Sequence, residues 1–339
     1  MSTALVKAEI GRFLRSADPE VLCIKGKWGI GKTFAWLKFL SDISSKRQLG
    51  IKKYAYVSLF GLNSLNDLKY SIFENTVSED LVVSGPSYDS FEKVLEGAGV
   101  LGRKARTIIS PILNFLGFGD TGDAIARAAF LTVRKQIICI DDLERAGLDL
   151  KIRDVLGLAS MLKEQRACKV VLLLNDEQLT TEMLADFNLL LEKVVDVSLV
   201  FAPTAAEAAE IAFFEKSKDN AAIKDVSVKI GITNIRVLKK IERLASRLSE
   251  ILNGFRSEVH FQAMSTVTIA GWSIFEPDGA PSRDFLIGYN QYSTSMEEAQ
   301  GKLDDNSKRW NGLLTQLGYT NSDDLGSGPV KLLACEVIG

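Results

Sequence analysis

The chain has 339 residues, 46% apolar and 25% charged, enough for one large domain or two smaller ones with a substantial core. A formal net charge of −2 argues against nucleic-acid binding across the whole surface and leaves only local basic patches to consider. His260 is the single histidine, so a histidine-rich metal site and most Ser-His or Cys-His catalysis are excluded.

The amino terminus alternates apolar and charged residues (Leu5, Lys7, Glu9, Arg12) and offers no hydrophobic stretch for a cleavable signal. Val21-Leu22-Cys23-Ile24 then predicts a buried strand. It feeds Gly26-Lys27-Trp28-Gly29-Ile30-Gly31-Lys32-Thr33, a full match to the pattern G-x-x-x-x-G-K-[ST]. Lys32 to Ile43 predicts a helix with Trp36, Leu37, Leu40 and Ile43 near one face. A glycine-rich turn in that setting wraps phosphates with backbone N–H groups, aided by the positive end of the helix. Lys32 is expected to reach the β and γ phosphates, and the Thr33 hydroxyl to ligate magnesium. Gly26, Lys27, Trp28, Gly29, Ile30, Gly31, Lys32, Thr33 and Phe34 are the candidate nucleotide contacts. The plain alternative is a strand, turn and helix with fortuitous glycines, which the flanking pattern disfavours. Trp28 is unusual there; it covers the nucleotide or packs against the insertion that follows.

Lys53 to Phe60 predicts an aromatic and β-branched strand, and Ser64 can cap a following helix that buries Leu65, Leu68, Ile72 and Phe73. Residues from about 76 to 134 predict a helical insertion with a basic patch, Arg103-Lys104-Ala105-Arg106, that reads as a solvated helix face or as a phosphate or partner contact. Its longest apolar run, Ile108 to Phe118, contains Pro111 and is too short to span a bilayer. Ile137 to Ile140 is a wholly apolar strand ending in Asp141-Asp142. A helix over Lys151 to Lys163 follows, then the strand Lys169 to Leu174 ending in Asn175-Asp176, another helix, and a last strand over Val194 to Val200. From Pro203 to Gly254 the pattern turns helical, with Ala205 to Lys216 and Ile235 to Leu252 as helices of a lid. Glu258 to Phe275 is helical and apolar, and the tail to Gly339 has no assigned role. The resulting division is a core over 1–202, a lid over 203–254 and a carboxy-terminal region over 255–339. Cys23, Cys139, Cys168 and Cys335 form no C-x-x-C pair, which suggests reduced thiols in a cytoplasmic protein.

Five strands separated mostly by helices imply an α/β fold, a parallel sheet covered on both faces. Ligands bind such sheets at the carboxyl edge, where the glycine loop, Asp141, Asp142 and Asn175 can meet. Asp141 fits a magnesium carboxylate and Asp142 the group that polarises an attacking water, with Glu144 as a second candidate base. Arg145 bridges to phosphate, reaches a neighbouring subunit, or makes a surface salt bridge. Asn175 holds water or the γ-phosphate, or simply closes an Asn-Asp turn. Arg236 contacts phosphate from the lid or is an ordinary helix arginine.

Together these residues resemble the KAP family of P-loop NTPases, in the class that includes AAA+ and STAND ATPases. The resemblance runs through Gly26 to Thr33, Val57 to Gly61, Ile140 to Arg145, Asn175-Asp176, Leu191 to Val195 and Asn234 to Arg236, over about the first 250 residues. It implies a five-stranded sheet of order 5-1-4-3-2, ATP and magnesium, and often a part in bacterial defence against phage or mobile DNA. Two departures stand out: the insertion is too short and charged for the membrane helices that KAP proteins often carry, and Glu144 replaces an aspartate. The expected activity is ATP hydrolysis that drives a switch or an assembly, with self-association or an effector protein as partner. A nucleotide-dependent signalling module with negligible hydrolysis and a P-loop kinase are the alternatives. Arg145 or Lys193 acting in trans would require a ring or dimer.

Overall fold

The computed structural model describes residues 3–78, 130–175, 177, 181–213 and 218–321. Most of the expected insertion, its basic patch, Asp176, Cys335 and the tail beyond 321 lie outside the described residues. The chain divides into two compact units, one running to Ala202 and one from Pro203, with Gly29–Gly31 grouped in the second.

The first unit is built on six strands: β1 Val21–Lys25, β2 Lys53–Ser58, β3 Thr76–Ser78, β4 Ile137–Asp141, β5 Lys169–Leu174 and β6 Val197–Val200. Their order across the sheet is β3-β2-β4-β5-β1-β6. All neighbours are parallel except β3, which pairs antiparallel with β2. The five parallel strands therefore stand in the expected order, and the count is corrected from five to six. β3 holds only three residues and carries no apolar run, so it leaves no periodic signal. The last strand also starts later than expected, because the preceding helix runs on through Val194.

Continuous apolar runs suit β4 and β5, since central parallel strands are covered on both faces; every residue of both is buried. Helices α1 Thr3–Arg15, α2 Lys32–Ser44, α3 Leu65–Glu74, α4 Ile152–Arg166 and α5 Thr181–Val194 accompany the sheet. Ser64 caps α3 by accepting the Asp67 N–H at 3.1 Å. On one face Val155, Leu156, Ala159 and Leu162 of α4 join Ile138, Ile140, Val170 and Leu172 in one core. Among the described residues one cation sits inside this unit. Lys169 is fully buried at the start of β5, and its ammonium donates to the Ser16 carbonyl at 3.2 Å. It also lies 4.3 Å from the Phe13 ring centre and 3.8 Å from a Glu20 oxygen. Burial pushes its pKa down, against the pull of Glu20.

The second unit is helical, with α6 Ala205–Ala212, α7 Lys218–Ile230, α8 Ile235–Ile251, α9 Ser257–Phe275, α10 Arg283–Gly288, α11 Gln291–Ala299 and α12 Asp305–Gln316. One expectation changes here: the helix from Ala205 ends at Ala212. After Phe275 the described residues hold three short helices. Thr204 starts α6 with a reciprocal cap: its hydroxyl accepts the Glu207 N–H while the Glu207 carboxylate accepts the Thr204 N–H. Helix α8 buries Ile235, Val237, Leu238, Ile241 and Ala245, and it packs on α9. Phe285, Tyr289, Trp310 and Tyr319 stack around α10 and α12. His260 serves this unit's structure, its Nε2 lying 2.7 Å from the Leu252 carbonyl. No helix among the described residues is long and apolar enough to cross a membrane.

Gly29–Gly31 show why glycine is required there. Gly29 sits at φ +84°, where a Cβ would fall 2.4 Å from Asn234 Oδ1. Its carbonyl accepts the N–H groups of Ile235 at 2.9 Å and Arg236 at 3.4 Å. Gly31, at φ +80°, would put a Cβ 2.4 Å from Ile235 Cδ1.

Candidate functional site

The first unit gathers its polar strand ends on one edge because its strands run parallel. Gly26 leaves β1 with its N–H on the Leu174 carbonyl at 3.2 Å, so the loop begins beside the end of β5. Lys32 curls its ammonium onto the carbonyls of Gly26 at 2.6 Å and Lys27 at 2.9 Å. Lys27 is exposed and pairs with Glu177 at 3.3 Å. Trp28 is 54% exposed, and most of the insertion that it could pack against lies outside the described residues. Ile30 is buried, and Thr33 and Phe34 are half-buried on the first turn of α2.

Thr33 and Asp141, 108 positions apart, meet directly: the Thr33 hydroxyl donates to Asp141 Oδ2 at 2.6 Å. The same oxygen accepts the Tyr56 hydroxyl at 2.9 Å, and Oδ1 accepts the Asp142 N–H at 2.8 Å. Asp141 is buried, and desolvation followed by the Asp142 charge pushes its carboxyl up against these three donors. The Tyr56 phenol is pushed far up, first by burial and then by the Asp141 charge. It therefore stays protonated and donates. A buried carboxylate raised in this way is eased by a nearby cation.

Asp142 takes a left-handed backbone at φ 56°, which turns the chain out of the sheet into a 3-10 turn over Leu143–Arg145. Its Oδ2 accepts the Ser58 hydroxyl at 2.7 Å, and Arg145 lies 4.0 Å from Oδ1. The Arg145 guanidinium also stacks 3.8 Å over the exposed Phe60 ring. Glu144 turns toward β5, where its carboxylate accepts the Asn175 N–H at 3.1 Å. The Asn175 side chain closes its own turn by accepting the Glu177 N–H at 3.2 Å. Arg236 belongs to the second unit, where its backbone N–H serves Gly29 and its side chain is exposed.

Tyr56 and Ser58 are the site residues that sequence reasoning missed. Residues two apart on a strand share a face. The parallel register sets Tyr56 beside Cys139 and Ser58 beside Asp141. Alternation within β2 was thus a usable signal once its partner strand was known.

The donor set suits a hard divalent cation. Thr33 Oγ1 and Asp141 Oδ2 are adjacent oxygens, and magnesium is held through one or two carboxylates plus substrate phosphates. No group of three or more His, Cys, Asp or Glu side chains among the described residues could hold a metal by itself.

A glycine loop after β1, a carboxylate ending β4, and β5 between them in a parallel sheet complete the pattern. The order of the parallel strands is the one that the KAP resemblance implied. No protein-family model matches the chain, and no curated protein is similar to it in sequence. Among solved structures, Drosophila ORC bound to DNA overlaps 99% of this chain and 77% of its own, at 14% identity and TM-score 0.42. The Aeropyrum pernix ORC1 protein in complex with DNA overlaps 98% of this chain and 82% of its own, at 15% identity and TM-score 0.43. Cdc6p from Pyrobaculum aerophilum overlaps 98% and 85%, at 12% identity and TM-score 0.44.

Proposed function

We propose that the chain binds and hydrolyses ATP with magnesium as a nucleotide-driven switch or assembly ATPase. The observation that carries this reading is the 2.6 Å contact between Thr33 and Asp141, which puts the loop hydroxyl and the strand-end carboxylate on one spot. Backbone N–H groups from Gly26 to Thr33 would bind the triphosphate, and Lys32 would exchange its loop carbonyls for phosphate oxygens. Thr33 and Asp141 would hold the magnesium ion, which when bound offsets phosphate charge. Asp142, one residue further and half-buried, would orient and polarise the attacking water. Glu144 and Asn175 would act at the edge of that site, and Arg236 as a phosphate contact from the second unit.

The KAP resemblance extends the proposal to a cytoplasmic role in bacterial defence against phage or mobile DNA, through self-association or an effector protein. A phosphate-release assay on wild type, Lys32→Ala and Asp142→Ala tests the core reading. Turnover in wild type that falls by about 100-fold or more in both variants is expected. Equal rates in all three would remove hydrolysis from this site.

One contact favours a second reading, a nucleotide-dependent binding module that hydrolyses negligibly. Ser58 engages an oxygen of Asp142 at 2.7 Å and thereby competes with a water for that carboxylate. Tight ATP retention with turnover near zero in wild type would select it.

A further inference from the structure

The buried hydroxyl of Tyr56 lies beside the proposed catalytic set, on the carboxylate of Asp141. We infer that Tyr56 is a positioning residue for the metal carboxylate: its hydroxyl fixes Asp141 and thereby sets the affinity of the site for magnesium. This inference rests on the reading of Asp141 as the magnesium carboxylate.

The geometry is specific. Asp141 Oδ2 has two side-chain donors, Thr33 at 2.6 Å and Tyr56 at 2.9 Å. These donors differ in what a cation does to them. The Thr33 oxygen is itself a proposed ligand, so a metal would draw it away from the carboxylate. Tyr56 comes from β2, on the far side of Asp141 from the loop, and β2 is locked to β4 in register from Tyr54 through Ser58. Its phenol is buried and can be satisfied only locally, since an unpaired buried hydroxyl is costly. Tyr56 thus remains as the side-chain donor that holds the carboxylate's rotation once Thr33 has turned to the ion. Oriented carboxylates of this kind depend on their outer partners for metal affinity, by about 10- to 100-fold.

Ser58 supplies the internal control. It lies two residues along the same strand and on the same face, and it donates to Asp142 at 2.7 Å. Any general loosening of β2 would register in both positions. A role for Tyr56 on the metal carboxylate would register in only one.

The test is a magnesium titration of ATP binding to the full chain, followed by a fluorescent ATP analogue, with nucleotide binding in EDTA as the reference. Tyr56→Phe is expected to raise the magnesium concentration at half-saturation about tenfold, equivalent to about 1.4 kcal/mol. Its binding of the analogue in EDTA should match wild type. Ser58→Ala should leave the magnesium midpoint within about twofold of wild type. An unchanged midpoint in Tyr56→Phe overturns the inference, as does an equal shift in both variants. If wild type itself shows no magnesium dependence, the reading of Asp141 as a metal ligand fails first, and the two failures are thereby told apart. Tyr56 replaced by 4-fluorophenylalanine fills the volume of the hydroxyl without donating and should reproduce the shift if the phenylalanine variant does not fold. Failure of both to fold in EDTA would also overturn the inference, because it would make the hydroxyl a requirement of the sheet and not of the metal site.

Discussion

β4 and β5 lie side by side, are buried throughout, and both run out into a pair of short polar residues, Asp141-Asp142 and Asn175-Asp176. At the end of β4 each carboxylate is held by other elements: Asp141 by α2 and β2, Asp142 by β2. At the end of β5 the Asn175 side chain closes its own turn on Glu177, and its N–H takes up Glu144. A polar group held from outside its own loop is aimed at a shared spot and can act on something brought there. A group that closes its own turn is committed to local backbone structure. The contrast supports the proposed reading, in which the end of β4 carries the metal carboxylate and the water-orienting carboxylate and the end of β5 acts at their edge.

The strongest way to break this contrast is turnover. Asp142→Asn keeps a side-chain acceptor for Ser58 but removes the charge, and phosphate release should fall about 100-fold or more. Asn175→Ala should cost less than about tenfold in the same assay. Equal losses would place Asn175 beside the water and dissolve the distinction.

A pH series sharpens it further. The Asp141 carboxyl is raised above its ordinary 3.8, so the folded chain binds that proton more tightly than the unfolded chain does. Its contribution to stability is complete below the ordinary value and is lost as pH rises through the raised one. In EDTA, urea midpoints of wild type should therefore fall relative to Asp141→Asn as pH rises from about 4 to about 8. Asn175→Ala should show a constant offset from wild type over the same range. A flat difference for Asp141→Asn would mean that the carboxyl is not raised.

The smallest expected effect is that offset itself. Losing the acceptor for the Glu177 N–H should cost Asn175→Ala about 1 kcal/mol, read as a lower urea midpoint at unchanged slope. No loss would mean that the turn does not need its side chain.

Much of this was legible from the letters alone. The strand, glycine turn and helix over Val21 to Ser44 stood in the sequence as a pattern G-x-x-x-x-G-K-[ST] entered from an apolar run. The order of the five parallel strands followed from the resemblance. What escaped had physical reasons. β3 is three residues of edge pairing with a single buried apolar side chain, Val77, too little for a periodic signal. Helix α7 is largely polar along its length, and α10 to α12 are too short for a period to stand out. Tyr56 reads in sequence as one more strand aromatic. Its hydroxyl acquires meaning only from a strand 85 positions away. Asn175 was readable as either site or turn, and its contact with the Glu177 N–H, two residues on, could not be read from the letters.

Lys169 bears on how small a working piece of this protein can be. Its ammonium is paired with the Ser16 carbonyl, the Phe13 ring and Glu20, all of them ahead of β1 in the chain. A fragment that began at Val21 would hold a stranded ammonium at the root of its central strand, with none of those three groups to receive it. The leading helix and the turn behind it are thus as much a part of the sheet's minimal folding unit as the strands that form it.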